Sequence, residues 1–353
     1  MSNEVELKLA VTQTFADNLS QSLTDFRIVE QKHAFLGNTY YDTEDGFFAQ
    51  QKMGLRVRSE NNAFQMTLKT NGKVTGGLHI RPEYNFTLNN AAPDLAQLAA
   101  LTEFDFPTDL ALKPIFSTDF ERQSWLIECG KDTEIEIALD RGEIKANDNI
   151  EPICEVEFEL KRGELTDLLA LVENLTLTDG VRLSSASKAK RGYQLAKGEL
   201  PQLTDWLEKW RAFLDIEQHS QNPQEILTAL FHYEQQLIEE TLLFGVSYFA
   251  QDFMRTVERI GAFFNLANYY VEAKKLFNAV AEQHQIDEQT LVDLIESNVW
   301  LFEKIRDIIR LHSETKENPL AMSKLNNLLH QGQYVKRMIN LIKLTVASDG
   351  KSA

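Results

Sequence analysis

Glu4-Val5-Glu6-Leu7-Lys8-Leu9-Ala10-Val11 alternates charged and apolar residues almost from the start of the chain. On a β-strand successive side chains point to opposite faces, so Glu4, Glu6 and Lys8 share one face and Val5, Leu7 and Leu9 the other. A half-buried strand beside water has the same pattern. A second stretch, Cys154-Glu155-Val156-Glu157-Phe158-Glu159-Leu160, repeats it with glutamates on one face and Val156, Phe158 and Leu160 on the other. Two such strands predict polar faces that converge inside a barrel. Convergent carboxylates make a hard-oxygen site for Mg²⁺ or Mn²⁺ rather than zinc, with the divalent cation as counter-charge.

Basic residues alternate in the same way. Arg56 and Arg58 lie in Gly54-Leu55-Arg56-Val57-Arg58, Lys69 ends Met66-Thr67-Leu68-Lys69, and Arg81 sits in His79-Ile80-Arg81-Pro82-Glu83. Arg122 follows in Asp119-Phe120-Glu121-Arg122, and Lys188 and Arg191 in Ser187-Lys188-Ala189-Lys190-Arg191. Singly, each reads as a surface charge. Spread over successive strands, they read as the lining of a channel, since Arg offers phosphate oxygens a planar fork and Lys a point charge. The expectation is a basic wall facing an acidic, metal-holding wall.

The chain has 353 residues, a length that suggests two domains. With 36 Lys+Arg against 53 Asp+Glu the net charge is −17, which argues against nucleic acid or an anionic membrane as partner. No apolar run reaches the ~20 residues that span a bilayer, and no secretory signal precedes the first strand. Two cysteines, Cys129 and Cys154, exclude a disulfide framework and a thiolate metal site, so a reducing cytoplasm is expected.

Residues 1–197 are strand-rich, with strands expected at 3–12, 26–41, 53–60, 62–70, 77–88, 114–127, 133–140 and 152–162. Helices fit at 14–24, 94–101 and 164–175. Asn61-Asn62 marks a tight hairpin, and Gly72 with Gly76-Gly77 another turn. Many antiparallel strands with short turns imply a closed barrel, because closure removes exposed edges. Near Pro201 the texture changes. Residues 202–346 show helical periodicity, in segments 225–245, 248–284, 287–312 and 319–346, and predict a bundle of five or six helices. Asp287 with Thr290 reads as a helix start and Asn318-Pro319 as a break. The tail Ser348–Ala353 is small and polar and is expected to fray. The fold class is therefore α+β, an antiparallel barrel followed by an all-α bundle.

The set Glu4-x-Glu6-x-Lys8, Tyr40-Tyr41-Asp42-Thr43, Gly54-Leu55-Arg56-x-Arg58, Thr67-x-Lys69, Glu134-x-Glu136…Leu139-Asp140-x-Gly142, Glu155-x-Glu157 and Ser187-Lys188…Arg191-Gly192-Tyr193 resembles the CYTH superfamily, the triphosphate tunnel metalloenzymes. The resemblance covers residues 1–197, with the motifs in the family's order. Val74-Thr75-Gly76-Gly77-Leu78-His79 through Arg81-Pro82-Glu83-Tyr84-Asn85 is similar to bacterial inorganic triphosphatases that carry a C-terminal helical CHAD domain.

The resemblance implies a tunnel barrel that hydrolyses triphosphate with Mg²⁺ or Mn²⁺. Glu4, Glu6, Glu155 and Glu157 would hold metal. Lys8, Arg56, Arg58, Lys69, Arg81, Arg122, Lys188 and Arg191 would grip the phosphates. Lys8 and Glu157 would be catalytic, and Asp140 would orient a basic side chain, a role open also to Glu83 and Glu136 beside an ordinary strand ion pair. Glu159 shares the glutamate face. The expected mechanism has one metal bridging phosphate oxygens and a second, on the later glutamate pair, lowering the pKa of a water aimed at the terminal phosphorus. No Ser/His/Asp or Cys/His arrangement and no G-x-x-x-x-G-K-[ST] loop stands beside it. A class IV adenylate cyclase, a hydrolase of thiamine triphosphate or ATP, and a non-catalytic polyphosphate-binding module are the alternatives.

The helical half departs from the CHAD pattern. From residue 200 on, 15 Lys+Arg meet 21 Asp+Glu, a net of −6, where Arg- and His-dense helices are expected. Arg306, Arg310 and His312 predict one weak basic face, and Lys336, Arg337 and Lys343 another. His219, His232, His284, His312 and His330 read as ordinary surface or core histidines. Phe263, Phe264, Tyr269 and Tyr270 read as core or interface. The bundle is expected to be a reduced or diverged CHAD-like domain.

Overall fold

A computed structural model describes residues 2–101, 107, 109–130, 132–175 and 177–346; the tail expected to fray lies outside them. The chain divides into two compact units. One comprises residues up to Leu168 with Ala186–Leu200, the other Leu169–Ser185 with the residues from Pro201 on.

The first unit holds β1 (Ser2–Val11), β2 (Arg27–Asp42), β3 (Gly54–Glu60), β4 (Ala63–Lys69), β5 (Lys73–Thr75), β6 (Leu78–Leu88), β7 (Lys113–Cys129), β8 (Thr133–Ala146) and β9 (Asn149–Arg162). Eight of them pair in the order β1-β9-β8-β7-β2-β3-β4-β6, and β6 returns to β1, closing an antiparallel barrel. The short β5 adds to the edge of β6. Asn61 and Asn62 both have positive φ (49° and 64°), the conformation that a two-residue turn needs to match strand twist.

The expected strands are present, but β8 and β9 run further than alternation indicated, to Ala146 and from Asn149. Gly142, two residues past the expected end of its strand, lies inside β8. A Cβ there would meet the Asp119 carbonyl oxygen at 2.1 Å, so glycine permits close approach of β7.

The barrel is apolar outside and charged inside. Leu7, Leu9, Ile137, Leu139, Val156 and Phe158 are buried on the outward face. The helix Gln13–Ser22 packs against β9 and buries Phe15, Ala16 and Leu19. Around β3, β4 and β6 a second apolar cluster contains Phe48, Leu55, Met66, Leu68, Phe86 and Leu98. With much of the outer face committed to these layers, the alternating charged residues Glu4, Glu6, Lys8, Arg122, Asp140, Glu155 and Glu157 look inward, while Arg27, Lys32 and Glu121 stay exposed.

The helix Lys188–Lys197 brings Lys188 and Arg191 to that interior. The Ser187 hydroxyl accepts from the Lys190 N–H to start it, and Gly198 (φ 71°) ends it. Tyr193 meets the Phe116 ring edge-on at 5.1 Å, and Phe116 stacks on Tyr40 at 4.4 Å. Gly192 faces the same ring, where a Cβ would stand 2.1 Å from Phe116 Cε2.

In the second unit the described residues from Trp206 on form seven helices, one or two more than expected: Trp206–His219, Pro223–Phe249, Phe253–Glu272, Lys274–His284, Glu288–Thr315, Asn318–Leu329 and Gly332–Val346. The segment read as 248–284 is two helices meeting at Ala273, where neither Gly nor Pro marks the break, and 319–346 divides at His330-Gln331. Asp287 caps the helix start as expected, accepting from the Thr290 N–H at 2.8 Å. Arg337 is not part of a basic face. Its guanidinium is fully buried against Glu234 (Nη1–Oε1 2.7 Å), and the Tyr270 hydroxyl donates to the same carboxylate at 2.6 Å. Phe263 and Tyr270 are core residues. No helix is long and apolar enough to cross a membrane among the described residues.

Gly192→Leu is expected to destabilise the first unit by about 1–3 kcal/mol through overpacking against Phe116. Chemical denaturation reads this directly. An unchanged midpoint would mean that the helix is not seated on that ring.

Candidate active site

Strand register makes the charged residues neighbours. Lys8 lies opposite Glu157, Glu4 opposite Arg81, Glu155 opposite Asp140, and Asp140 opposite Arg122. Side chains directly opposite on one face of a sheet stand about 5 Å apart, within ion-pair reach.

Two groups result. In the first, the Lys69 ammonium lies 2.6 Å from Glu4 Oε1 and 2.9 Å from Glu83 Oε2. Arg81 forks across β1, with Nε 3.1 Å from Glu4 Oε2 and Nη2 2.6 Å from Glu6 Oε1. In the second, Arg122 donates two parallel bonds to Asp140 (2.7 and 2.6 Å) and a third to Glu157 Oε2 (2.7 Å). Lys188 lies 2.6 Å from Asp140 Oδ2 and 3.0 Å from Glu157 Oε1, and it also pairs with Glu155. Arg191 joins Glu155 (3.0 Å) to Glu151 (2.6 Å). Lys8 links the groups, 3.1 Å from Glu6 Oε1 and 2.5 Å from Glu157 Oε1.

Acid and base are therefore interleaved; the expected pair of opposed walls does not form. Two carboxylates 4.8 Å apart repel by roughly 3 kcal/mol at an effective dielectric of 20, and a bare buried charge costs more still. Glu6 is 2 % exposed, Lys8 3 % and Asp140 0 %. At such depth each charge needs an opposite one beside it.

The titration behaviour follows. Burial pushes the Glu157 carboxyl up, but Lys188, Lys8 and Arg122 outweigh it and hold it well below the usual range. Burial likewise opposes Lys69 and Arg81 at Glu4, and Lys8 and Lys69 at Glu6; the cations prevail at both. Against burial, Lys69 and Arg56 bring Glu83 down to about 2. Lys8 and Lys188 are raised: burial disfavours their charge, and carboxylates more than restore it.

Asp140, Glu155 and Glu157 each offer a carboxylate oxygen, and these oxygens lie within 4.8 Å of one another. This buried, all-oxygen donor set fits a hard divalent cation. It contains Glu155 and Glu157 from the sequence-derived metal set together with Asp140, which was expected to orient a basic side chain and which accepts two bonds from Arg122. Glu4 and Glu6, the other members of the sequence-derived set, stand with Lys69, Arg81 and Lys8. Glu159 shares Lys161 with Glu136 (2.7 and 2.8 Å).

Arg56 and Arg58 differ from the other six cations. No carboxylate pairs with either among the described residues. Arg56 Nε is buried without a hydrogen-bond partner, and burial with the neighbouring Arg56 and Arg122 presses the Arg58 pKa down. A region of surplus positive charge is thus built into the lining.

Sequence reasoning missed Asn38, whose amide accepts from Arg58 Nε at 2.9 Å. A lone Asn at the alternating positions Ala34, Leu36, Asn38 and Tyr40 was the available signal. It also missed the role of Asp42, which accepts from the Phe48 and Ala49 N–H groups and the Tyr193 hydroxyl, tying β2 to two helices.

Because Glu4, Glu6, Glu83 and Glu157 are depressed in the fold, their contribution is complete above the ordinary carboxyl value of 4.5 and is lost as pH falls toward about 2. The melting temperature is expected to drop steeply across that window. Glu83→Gln should be less stable at pH 7 and show a flatter drop. A slope equal to that of the unaltered protein would remove Glu83 from this linkage.

Comparison with known proteins agrees with the barrel fold. The CYTH domain model matches residues 2–193. A protein of Haemophilus influenzae named inorganic triphosphatase is 49 % identical over 348 residues, 98 % of each chain. Among solved structures, HpAC1 of Hippeastrum, described as having a dominant triphosphatase activity, is 18 % identical over 56 % of this chain and 97 % of its own, at a TM-score of 0.39. The PH1819 protein of Pyrococcus horikoshii is 17 % identical over 56 % and 99 %, at 0.35. Likenesses this distant carry no part of the assignment. On a domain model spanning more than half its length and a relative matched nearly end to end, this chain belongs to the CYTH domain family.

Proposed function

We propose that this protein is a hydrolase that cleaves inorganic triphosphate to pyrophosphate and phosphate inside the barrel, using Mg²⁺ or Mn²⁺. The observation that carries the reading is the convergence of eight basic side chains on one lining, two of them with no carboxylate partner. The activity named for the Haemophilus influenzae relative, matched over 98 % of each chain, supports the same substrate.

Asp140, Glu155 and Glu157 would hold the cation, and Glu6 and Glu4 border the phosphate on the β1 side. When bound, the metal supplies Lewis-acid compensation for charge on the phosphate oxygens. The chain's own residues do the rest. Arg56 and Arg58 take the anion without first giving up an internal ion pair. Arg81, Arg122, Lys69, Lys188 and Arg191 exchange part of their carboxylate contacts for phosphate oxygens and hold the chain of phosphates in line. Lys8, between Glu6 and Glu157, stabilises negative charge as the phosphoanhydride bond breaks. The Glu157 carboxylate, kept ionised by three cations, is the acceptor for a hydrogen bond from the attacking water.

Residues 1–197 are read as the catalytic domain and 202–346 as a reduced CHAD-like bundle. The net charge of −6 in the latter argues against polyphosphate as its ligand. The two free cysteines fit a cytoplasmic setting.

The test is incubation of the purified protein with Mg²⁺, Mn²⁺ or a chelator and, separately, tripolyphosphate, ATP and thiamine triphosphate, with phosphate and cyclic AMP quantified. Metal-dependent phosphate release, greatest from tripolyphosphate, is expected. Cyclic AMP as main product, or tight binding without turnover, would replace this reading by a cyclase or a binding module. Arg56→Gln should raise KM for tripolyphosphate roughly tenfold to hundredfold, the worth of one hydrogen bond to a charged group. The melting temperature should fall only slightly, since Arg56 makes no direct ion pair and loses only its longer-range attraction to Glu83. A large stability loss would show that Arg56 is structural.

A further inference from the structure

Asn38 is 1 % exposed, on β2 between Arg58 of β3 and Thr118 of β7 in register. Its Nδ2 donates to the Thr118 carbonyl at 2.9 Å, and its Oδ1 accepts from Arg58 Nε at 2.9 Å. These contacts settle which way the amide points. Turned over, it would oppose two donors at Arg58 and two acceptors at Thr118.

Lys8, Lys69, Arg81, Arg122, Lys188 and Arg191 are all steered by carboxylates. A carboxylate holds a cation in place and cancels its charge in the same contact. A neutral amide separates the two effects. It holds Arg58 through Nε alone, and among the described residues Nη1 and Nη2 make no hydrogen bond within the chain. With Arg56 beside it, Arg58 therefore presents both terminal nitrogens and an uncancelled charge. That is the fork geometry for two oxygens of one phosphate.

We propose that Asn38 is a positioning residue for the anionic substrate, fixing the Arg58 guanidinium by a neutral acceptor so that its fork and its charge remain available to a phosphate group. The inference rests on the triphosphate reading above. It makes the β2–β3 side of the lining the place where an incoming phosphate meets least competition from the protein's own carboxylates.

A double-mutant cycle tests it. KM and kcat for tripolyphosphate are measured for the unaltered chain, Asn38→Ala, Arg58→Ala and the pair, with folding checked by melting temperature. Asn38→Ala should raise KM about tenfold and change kcat less, and the pair should be no worse than Arg58→Ala alone, because Asn38 acts only through Arg58. Effects that multiply, or an Asn38→Ala KM equal to that of the unaltered chain while Arg58→Ala raises it, would overturn the proposal. A normal KM in Arg58→Ala, or no tripolyphosphate turnover by the unaltered chain, would instead overturn the functional reading. Should Asn38→Ala not fold, Asn38→Asp serves. It keeps the shape and the acceptor for Arg58 Nε, replaces the donor to the Thr118 carbonyl by an oxygen and cancels the Arg58 charge, and it should raise KM similarly; an unchanged KM would overturn the proposal.

Discussion

Charge inside the barrel has to be neutralised where it stands, and much of the structure answers to that constraint. The outward faces of the strands are committed to apolar layers, which leaves Glu4, Glu6, Lys8, Asp140, Glu155 and Glu157 inside with little water. Isolated there, an ion would be prohibitively costly. Strand register supplies the remedy by placing Lys8 opposite Glu157 and Arg81 opposite Glu4, so that pairing is completed by the same hydrogen-bond ladder that closes the barrel. Lys8, shared between Glu6 and Glu157, joins the two groups into one network.

Against that background the departures carry the function. A lining in perfect balance would hold no anion. Arg56 and Arg58 break the balance, one with an orphaned Nε and the other with a depressed pKa, and a phosphate would relieve both. Stability and binding are thus opposed at these positions. The other cations are held by carboxylates and must be drawn partly away by substrate, so their cost is met at binding and not at folding.

The helical unit solves its own buried-charge problem in miniature. Glu234 and Arg337 lie at the centre of the bundle, with the Tyr270 and Tyr334 hydroxyls donating to Glu234 and Asn298 accepting from Arg337. Nothing in the local sequence around Arg337 distinguishes it from Lys336. Helical periodicity leaves both at plausible surface positions, and only the packing of Pro223–Phe249 and Glu288–Thr315 against the last helix puts one of them inside. The break at Ala273 was equally illegible, since helices usually announce their ends with Gly, Pro or a cap and this one does not.

Alternation by itself determined that charged and apolar residues segregate on each strand, and therefore which residues share a face: the common face of Glu4, Glu6 and Lys8, of Arg56 and Arg58, and of Glu155 and Glu157 was legible, and closure of the barrel decided that those faces look inward. The physical reason is the two-residue period of a strand, a local property that needs no partner. Who pairs with whom was not legible, because opposite residues are brought together by register between strands as far apart as β1 and β9. Tertiary structure alone decided that acid and base interleave, that Asp140 joins Glu155 and Glu157 while Glu4 and Glu6 stand with Lys69 and Arg81, and that Asn38 reaches Arg58. Each of those outcomes is a balance of burial against pairing, and neither term exists until the barrel closes.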